Sequence, residues 1–399
     1  MLESIILFAV AGIIAGIITG LTPGLHINTI AILALGIYRT NDIDPLLLSC
    51  FIIAMSTAHS FLDFIPSIFF GVPDPATALT VLPTHKMLFK GKGYEALALS
   101  VIGGLFGMVI LIFFLATIAG LITPAYAKIK PMIPYLLILA IAFIILKGTK
   151  RRASFFIFII SGLLGTIALK SYMINSNYIM FPLFAGLFGM SNLLMSFGNI
   201  SAIPKQKTDI KIRLKGTFKS SISGFAGGLV AGIIPGLGSS QSAMLIQYLG
   251  KMKGAKNFII AVGTIGTIDI ILSFLAIYLI GNARSGVAIA VDAIIGTMTK
   301  DTLQIFIGIA FLSAGLAAVL TLDIGKAATG IIEKIDYKKT SIAIMLLLTV
   351  MTIIFTGVYG LILMTASTSL GIYTQLIGVR RSILMGCLIL PTIVFFLGV

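Results

Sequence analysis

The stretch Gly12-Ile-Ile-Ala-Gly16-Ile-Ile-Thr-Gly20-Leu-Thr-Pro23-Gly24-Leu25 returns as Gly224-Phe-Ala-Gly-Gly228-Leu-Val-Ala-Gly232-Ile-Ile-Pro235-Gly236-Leu237. Every matched position stands 212 residues from its counterpart, with Ala31 and Ala243 continuing the register. Glycine is frequent here, at 42 of 399 residues, so aligned glycines alone carry little weight. Agreement through Pro-Gly-Leu without a gap is much harder to obtain by chance. A second pair follows at a shifted offset: Ile52-Ile53-Ala54 with Thr57 resembles Ile259-Ile260-Ala261 with Thr264. The chain therefore reads as two structural repeats, 1–200 and 201–399.

The surroundings of both motifs are apolar. The chain is 58% hydrophobic and only 10% charged, against about 25% charged residues in a soluble domain. That share cannot coat a water-facing surface. Apolar runs of membrane-spanning length recur along the whole sequence. A soluble enzyme, a disordered chain and a nucleic-acid-binding domain are thereby excluded. Spanning helices are expected near 4–21, 46–65, 96–122, 133–147, 153–169, 178–198, 220–234, 257–280, 303–320, 341–363 and 382–398. Shorter apolar pieces lie near 25–38, 241–249, 286–297 and 366–378. The net charge of +15 resides in short loops, Lys147–Arg152, Lys205–Lys219, Lys251–Lys256 and Lys334–Lys339, the signature of cytoplasmic loops. Cys50 and Cys387 sit in apolar segments and read as small core residues. Met1-Leu2-Glu3 carries no basic n-region, so no cleavable leader is expected. The place is a cell (cytoplasmic) membrane, crossed many times.

Flanking charge orients the repeats. The second motif has Lys215 and Lys219 before it and Lys251, Lys253 and Lys256 after it, so both ends favour the cytoplasm. Its arms, 220–234 and 237–249, reach about 22 Å and 20 Å, short of a ~30 Å hydrocarbon core. A re-entrant hairpin with its Pro-Gly tip inside the membrane fits both facts. The first motif, flanked by Glu3, Arg39, Asp42 and Asp44, lacks a positive bias and is free to enter from outside. The fold expected is an all-α polytopic membrane protein of two inverted-topology repeats, each with a Pro-Gly-tipped re-entrant helical hairpin. Ordinary kinked helices that cross fully are the plainer alternative.

Backbone broken at membrane depth must be buried in protein or line a wet cavity. Pro23 and Pro235 cannot donate, and Gly24 and Gly236 let the chain turn and approach a ligand. The helix restarting after each turn aims its N-terminal N–H groups at the tip, which suits an anion such as a carboxylate. Thr22, His26, Asn28 and Thr29 surround the first tip, and Gly238, Ser239, Ser240, Gln241 and Ser242 the second. Capping of the restarted helices accounts for one or two of these side chains; eight polar side chains at two matched breaks exceed what capping requires. The glycine stripes themselves belong to close helix packing. His59 and Asp63, four residues apart, share a helix face. Asp63 can hold a coupling proton or Na⁺ with His59 tuning it, or the two can form a buried structural pair. Asp269 and Asp292 are further ion-coupling candidates, or partners for Arg284. No catalytic motif and no zinc spacing is present, so neither enzyme chemistry, a metal site nor a cofactor is expected beyond coupling Na⁺ or H⁺.

The two Gly-x3-Gly…Pro-Gly-Leu motifs resemble those of the large membrane permease subunit (TctA) of tripartite tricarboxylate transporters. Phe70-Gly71-Val72-Pro73 through Thr80, then Lys90-Gly91 and Ala96-Leu97, is similar to that family's G-x-P-G…T-x-L-D-G…K-G…A-L segment. The tail Leu376-Ile377-Gly378-Val379-Arg380-Arg381, Met385-Gly386 and Leu388-Ile389-Leu390-Pro391 is similar to the family's C-terminus. This chain has Pro73-Asp74 for Pro-Gly, Leu82-Pro83-Thr84 for Leu-Asp-Gly, and His26 where the family more often has Gly. It resembles a short, divergent, archaeal-type member. The resemblance implies an ion-coupled symport of di- or tricarboxylates, served by a small membrane subunit and an extracytoplasmic solute-binding protein. A homodimer is a further assembly to be expected. The competing function is a polyprenyl- or other lipid-phosphate translocase, which would grip a headgroup with the same tips.

Overall fold

The computed structural model describes residues 1–22, 27–40, 42–72, 76–174, 178–196, 203–210, 214–233, 238–249, 252, 254–281, 283, 285–333 and 337–398. Both Pro-Gly turns, with Pro23, Gly24, His26, Pro235 and Gly236, lie outside the described residues, as do Arg284, Pro73 and Asp74. Among the described residues all regular structure is helical. Eight stretches among those residues are long and apolar enough to cross a membrane.

The first half carries α1 (Leu2–Leu21), α2 (Ile27–Thr40), α3 (Pro45–Leu62), α4 (Val81–Leu88), α5 (Gly93–Ile129), α6 (Ile133–Lys147), α7 (Arg151–Lys170), α8 (Met180–Phe184) and α9 (Ser191–Ser196). The second half carries α10 (Leu214–Ile233), α11 (Ser239–Leu249), α12 (Ala255–Ile280), α13 (Gly286–Ile295), α14 (Lys300–Ile332), α15 (Tyr337–Leu376) and α16 (Gly386–Leu397). Start signals are local. Asp44 caps α3, its carboxylate accepting from the Leu46 and Leu47 amides at 2.8 and 3.1 Å, with Pro45 at the first helical position. Ser285 caps α13 through the Ala288 amide. Pro66 has no N–H to offer the preceding turn, and α3 passes there into a π-helical turn, Pro66–Phe70, closed by Gly71 at φ +70°.

The glycine stripes decide how the helices lie. Gly12 faces Phe51 and Ala54, Gly16 faces Met55 and Ala58, and Gly20 faces Leu62. The numbers rise together, so α1 and α3 run parallel in close contact. In the second half Gly224 faces Ala261 and Thr264, Gly228 faces Ile268, and Gly232 faces Leu272, so α10 and α12 are parallel as well. The partners Ala54 and Thr264, Ala58 and Ile268, Leu62 and Leu272 are each 210 apart. This differs by three residues from the offset at which Ile52–Ala54 resembles Ile259–Ala261 in sequence. Likeness of residue type along an apolar helix recurs at each turn, whereas the packing register does not.

Several expectations are corrected. The first arm of the second motif starts at Leu214, not near residue 220, and its 20 residues reach about 30 Å. Helix α4 appears within a connection that carries no apolar period. Helix α14 runs on to Ile332. The break expected near residue 364 falls at Gly357 (φ +63°, ψ −156°) within α15. Thr352 Oγ1 reaches Met364 Sδ at 3.3 Å, although 12 residues of straight helix would separate them by about 18 Å. The chain therefore folds back at Gly357, a backbone state that suits glycine.

Basic loop segments gather on one face. Gln206 accepts from the Gly93 amide at 2.8 Å, and its own amide donates to Glu333 at 2.7 Å. Lys256 pairs with Glu95. Lys150 donates to the Ile377 carbonyl at 2.7 Å, and Arg380 lies over the Tyr248 ring. Because Phe69 touches Gly93, α3 ends at this face, while α5 and α12 begin there. Helix α3 is thus antiparallel to α12, and α1 to α10.

Among the described residues two large apolar cores and a third, smaller cluster around Leu193 and Leu348 result, and neither large core follows the division of the sequence. One unites α1, α3 and α5 with α10, α12, α13 and α14. The other unites α6, α7 and α8 with α15 and α16. Cys50 and Cys387 are buried and free in separate cores.

Candidate functional site

Where the two cores meet, a cavity of about 440 Å³ opens, within the ~300–1,000 Å³ range of small-molecule pockets. Asn28 enters it from α2, shortly after Pro23-Gly24 in sequence. Gly238, Ser239 and Gln241 enter at the start of α11, shortly after Pro235-Gly236 in sequence. Ser56, His59, Ser60 and Asp63 line it from α3, and Gly266, Asp269, Ile270 and Ser273 from α12. Each set follows the i, i+3, i+4, i+7 spacing of one helical face. The two sets stand at the same 210-residue offset as the glycine contacts, so His59 has Asp269 as its counterpart and Asp63 has Ser273. Leu169, Met180, Leu388 and Thr392 close the side facing the second core.

The polar groups are held by neighbours. Ser239 Oγ donates to Asp269 Oδ2 at 3.1 Å, which joins the start of α11 to α12. His59 Nδ1 stands 3.1 Å from Thr19 Oγ1. The Thr19 hydroxyl donates to the Gly16 carbonyl at 3.2 Å, so it accepts from His59 Nδ1–H. Asp63 stands where α3 gives way to the π-helical turn, its amide on the His59 carbonyl at 2.9 Å. Gln241 Oε1 accepts from the Gly238 amide at 3.0 Å, which closes the first turn of α11.

The remaining candidates have other places. Thr22 turns its hydroxyl back to the Ile18 carbonyl at 2.6 Å and does not line the cavity. Ser240 is buried and donates to the Ala76 carbonyl at 2.9 Å. Ser242 is buried behind the lining. Thr29 belongs to α2, its side chain outside the described residues. Asp292 is partly buried on α13, away from the cavity. Sequence reasoning missed Ser56, Ser60 and Ser273. The signal was available, since each shares a helical face with an ionisable residue already singled out. Among the described residues no three His, Cys, Asp or Glu side chains stand together as a metal cage.

A helical bundle with eight spanning stretches and a polar cavity between two apolar cores defines a multi-pass membrane protein. The model of the tripartite tricarboxylate transporter TctA family matches residues 6–386, and the chain belongs to that family of membrane permeases. It is 30% identical, over 98% of its length and 99% of the other, to an uncharacterized protein of the archaeon Methanocaldococcus jannaschii. No solved structure matches the chain.

Proposed function

We propose that this protein is a secondary transporter of small organic anions of the di- or tricarboxylate class, coupled to Na⁺ or H⁺ and set in the cytoplasmic membrane with its basic face inward. The observation that carries the reading is the meeting of Asn28 from α2 with Ser239 and Gln241 from α11 in one cavity. Two re-entrant hairpins account for it. A chain that runs along α1 and then along α3 in the same direction must return in between, and α2 is the helix available. Between α10 and α12 the returning helix is α11. Gly20 and Gly232, the last described glycines before the two breaks, face residues each 17 positions into a 26-residue span. That is a depth of about 26 Å from the face of entry. Antiparallel spans entered from opposite faces bring both tips into the membrane interior, the arrangement of an inverted repeat with boundaries near 1–200 and 201–399.

Ion coupling follows from charge. Asp63 and Asp269 line the cavity, and no Lys or Arg is among its described lining residues. A carboxylate entering beside two carboxylates is repelled unless protons or cations arrive with it. Binding of ion and anion is therefore mutually reinforcing. Asp269, bonded to Ser239, is the group best placed to sense both. Family membership favours this reading over lipid-phosphate translocation, and the family's small membrane subunit and extracytoplasmic binding protein are the partners it would have. Uptake of labelled citrate and succinate into proteoliposomes, under imposed Na⁺ or proton gradients, tests it. Gradient-dependent uptake that falls about tenfold or more in Ser239→Ala is expected, because a hydrogen bond to a charged group is worth ~1.5–3 kcal/mol. Absence of flux for every di- and tricarboxylate under both gradients refutes it.

A further inference from the structure

A second cavity, of about 470 Å³, lies at the basic face, where Lys86 on α4, Arg380 and Arg381 before α16, and Gln247 on α11 converge with Phe188 and Ser382. Arg381 is its unusual member. Its guanidinium donates to the Phe188 carbonyl at 2.7 Å, the Leu187 carbonyl at 3.4 Å, Asn192 Oδ1 at 3.2 Å and Ser191 Oγ at 3.3 Å. The two carbonyls belong to the π-helical turn Ala185–Met190, whose displaced pairing leaves acceptors available. Every one of these partners is neutral. Arg381 Nε is buried with no partner, and among the described residues no carboxylate pairs with Arg381, Arg380 or Lys86. Buried cations in proteins are normally matched by a counter-charge, and here none of the described residues supplies one while a cavity stands open beside it.

We infer that this cavity binds an oxyanion, a carboxylate or phosphate group, held by Arg380, Lys86 and the fixed charge of Arg381. Planar guanidinium groups suit such anions. The oxyanion has two sources: a small soluble anion or the headgroup of an anionic lipid. Three elements that line this cavity also line the central one: α11 through Gln241 and Gln247, the segment holding Ala76 and Ala78, and the helix holding Met180 and Phe188. Gln241 and Gln247 are about 9 Å apart along their helix. That the anion met here is the transported one rests on the transport reading; binding itself does not.

Arg381→Gln would strip the π-helical turn of its donors and risks misfolding. The test therefore uses Lys86→Gln with Arg380→Gln, whose side chains make no hydrogen bond to the fold among the described residues. Calorimetric titration of citrate and of inorganic phosphate into the protein in phosphatidylcholine nanodiscs reads the soluble source. Retention of phosphatidylglycerol in native mass spectrometry reads the lipid source. The double variant is expected to weaken one of these by about tenfold or more, while Ser239→Ala in the central cavity leaves that site unchanged. Wild-type citrate and phosphate affinity together with wild-type lipid retention in the double variant overturns the inference. Failure of uptake by the wild-type protein overturns the transport reading alone, since the titration needs no flux.

Discussion

Asn28 and Ser240, 212 positions apart, each reach into the opposite half of the chain. Asn28 Oδ1 accepts from the Val287 amide at 3.1 Å, and Ser240 Oγ donates to the Ala76 carbonyl at 2.9 Å. Each partner lies just beyond the long helix of the other half, so the start of α2 and the start of α11 are each braced by the half to which they do not belong. The two residues differ in one respect that separates their roles: Asn28 also lines the central cavity, and Ser240 does not. Both Asn28→Ala and Ser240→Ala are expected to lose about 1 kcal/mol of stability, the ordinary value of a buried hydrogen bond. Only Asn28→Ala should also weaken substrate binding. Thermal unfolding in detergent, paired with substrate titration, separates the two effects.

Asp63→Asn and Asp269→Asn each remove one charge from the cavity while keeping a hydrogen-bonding side chain of the same size. With less negative charge to neutralise, the anion needs less help from the ion. Substrate affinity in the absence of Na⁺ and at neutral pH should rise, and the stimulation of uptake by a gradient should fall several-fold. Unchanged gradient dependence in both variants would remove these carboxylates from the coupling scheme.

Gly16 offers a test of the packing that sets the breaks in place. A methyl group there would stand 2.6 Å from Ala58 Cβ and 2.6 Å from the Met55 carbonyl oxygen, so Gly16→Ala forces α1 away from α3. A loss of about 1–3 kcal/mol is expected, typical of overpacking. At Gly36 on α2 nothing lies within 4 Å of an added methyl. Gly36→Ala should be neutral or stabilising by up to ~1 kcal/mol. The difference between the two melting temperatures is the measurement.

His85, on the short helix α4 between spanning stretches, is buried beneath Gly71 and beside Phe89. Burial, reinforced by the charge of Arg381, pushes its imidazole down from 6.5 to about 4. The folded protein therefore resists a proton that the unfolded chain accepts. Stability from this group is full above pH about 6.5 and is lost as the pH falls towards 4, by at most ~1.4 kcal/mol per pH unit. His85→Gln should flatten the acid limb of a melting-temperature profile over that window, whatever it does to the plateau.

Much of this was legible in local sequence. The apolar runs located most spanning helices to within a few residues, because hydropathy and length act on each segment separately. The motif at Gly12 and its return at Gly224 marked two close-packed helices, and the glycine contacts bear out the assignment to packing. His59 and Asp63 shared a face as their spacing required. The return at Gly357 was misplaced by about two turns, since the apolar composition around it is uniform and only the backbone conformation marks the site. Asp292 looked equivalent to Asp269 by composition, and only packing separates them.

By itself, then, the sequence determined the solvent in which the chain folds and the approximate position of most spanning helices, both of which depend on residues near one another. The tertiary structure alone decided which polar side chains share a cavity, why each half is braced by the other, and that no carboxylate among the described residues pairs with Arg381. Those outcomes hinge on helices that meet across some 200 residues of chain, and the meeting is fixed by small-residue contacts summed over the whole bundle rather than by any single segment.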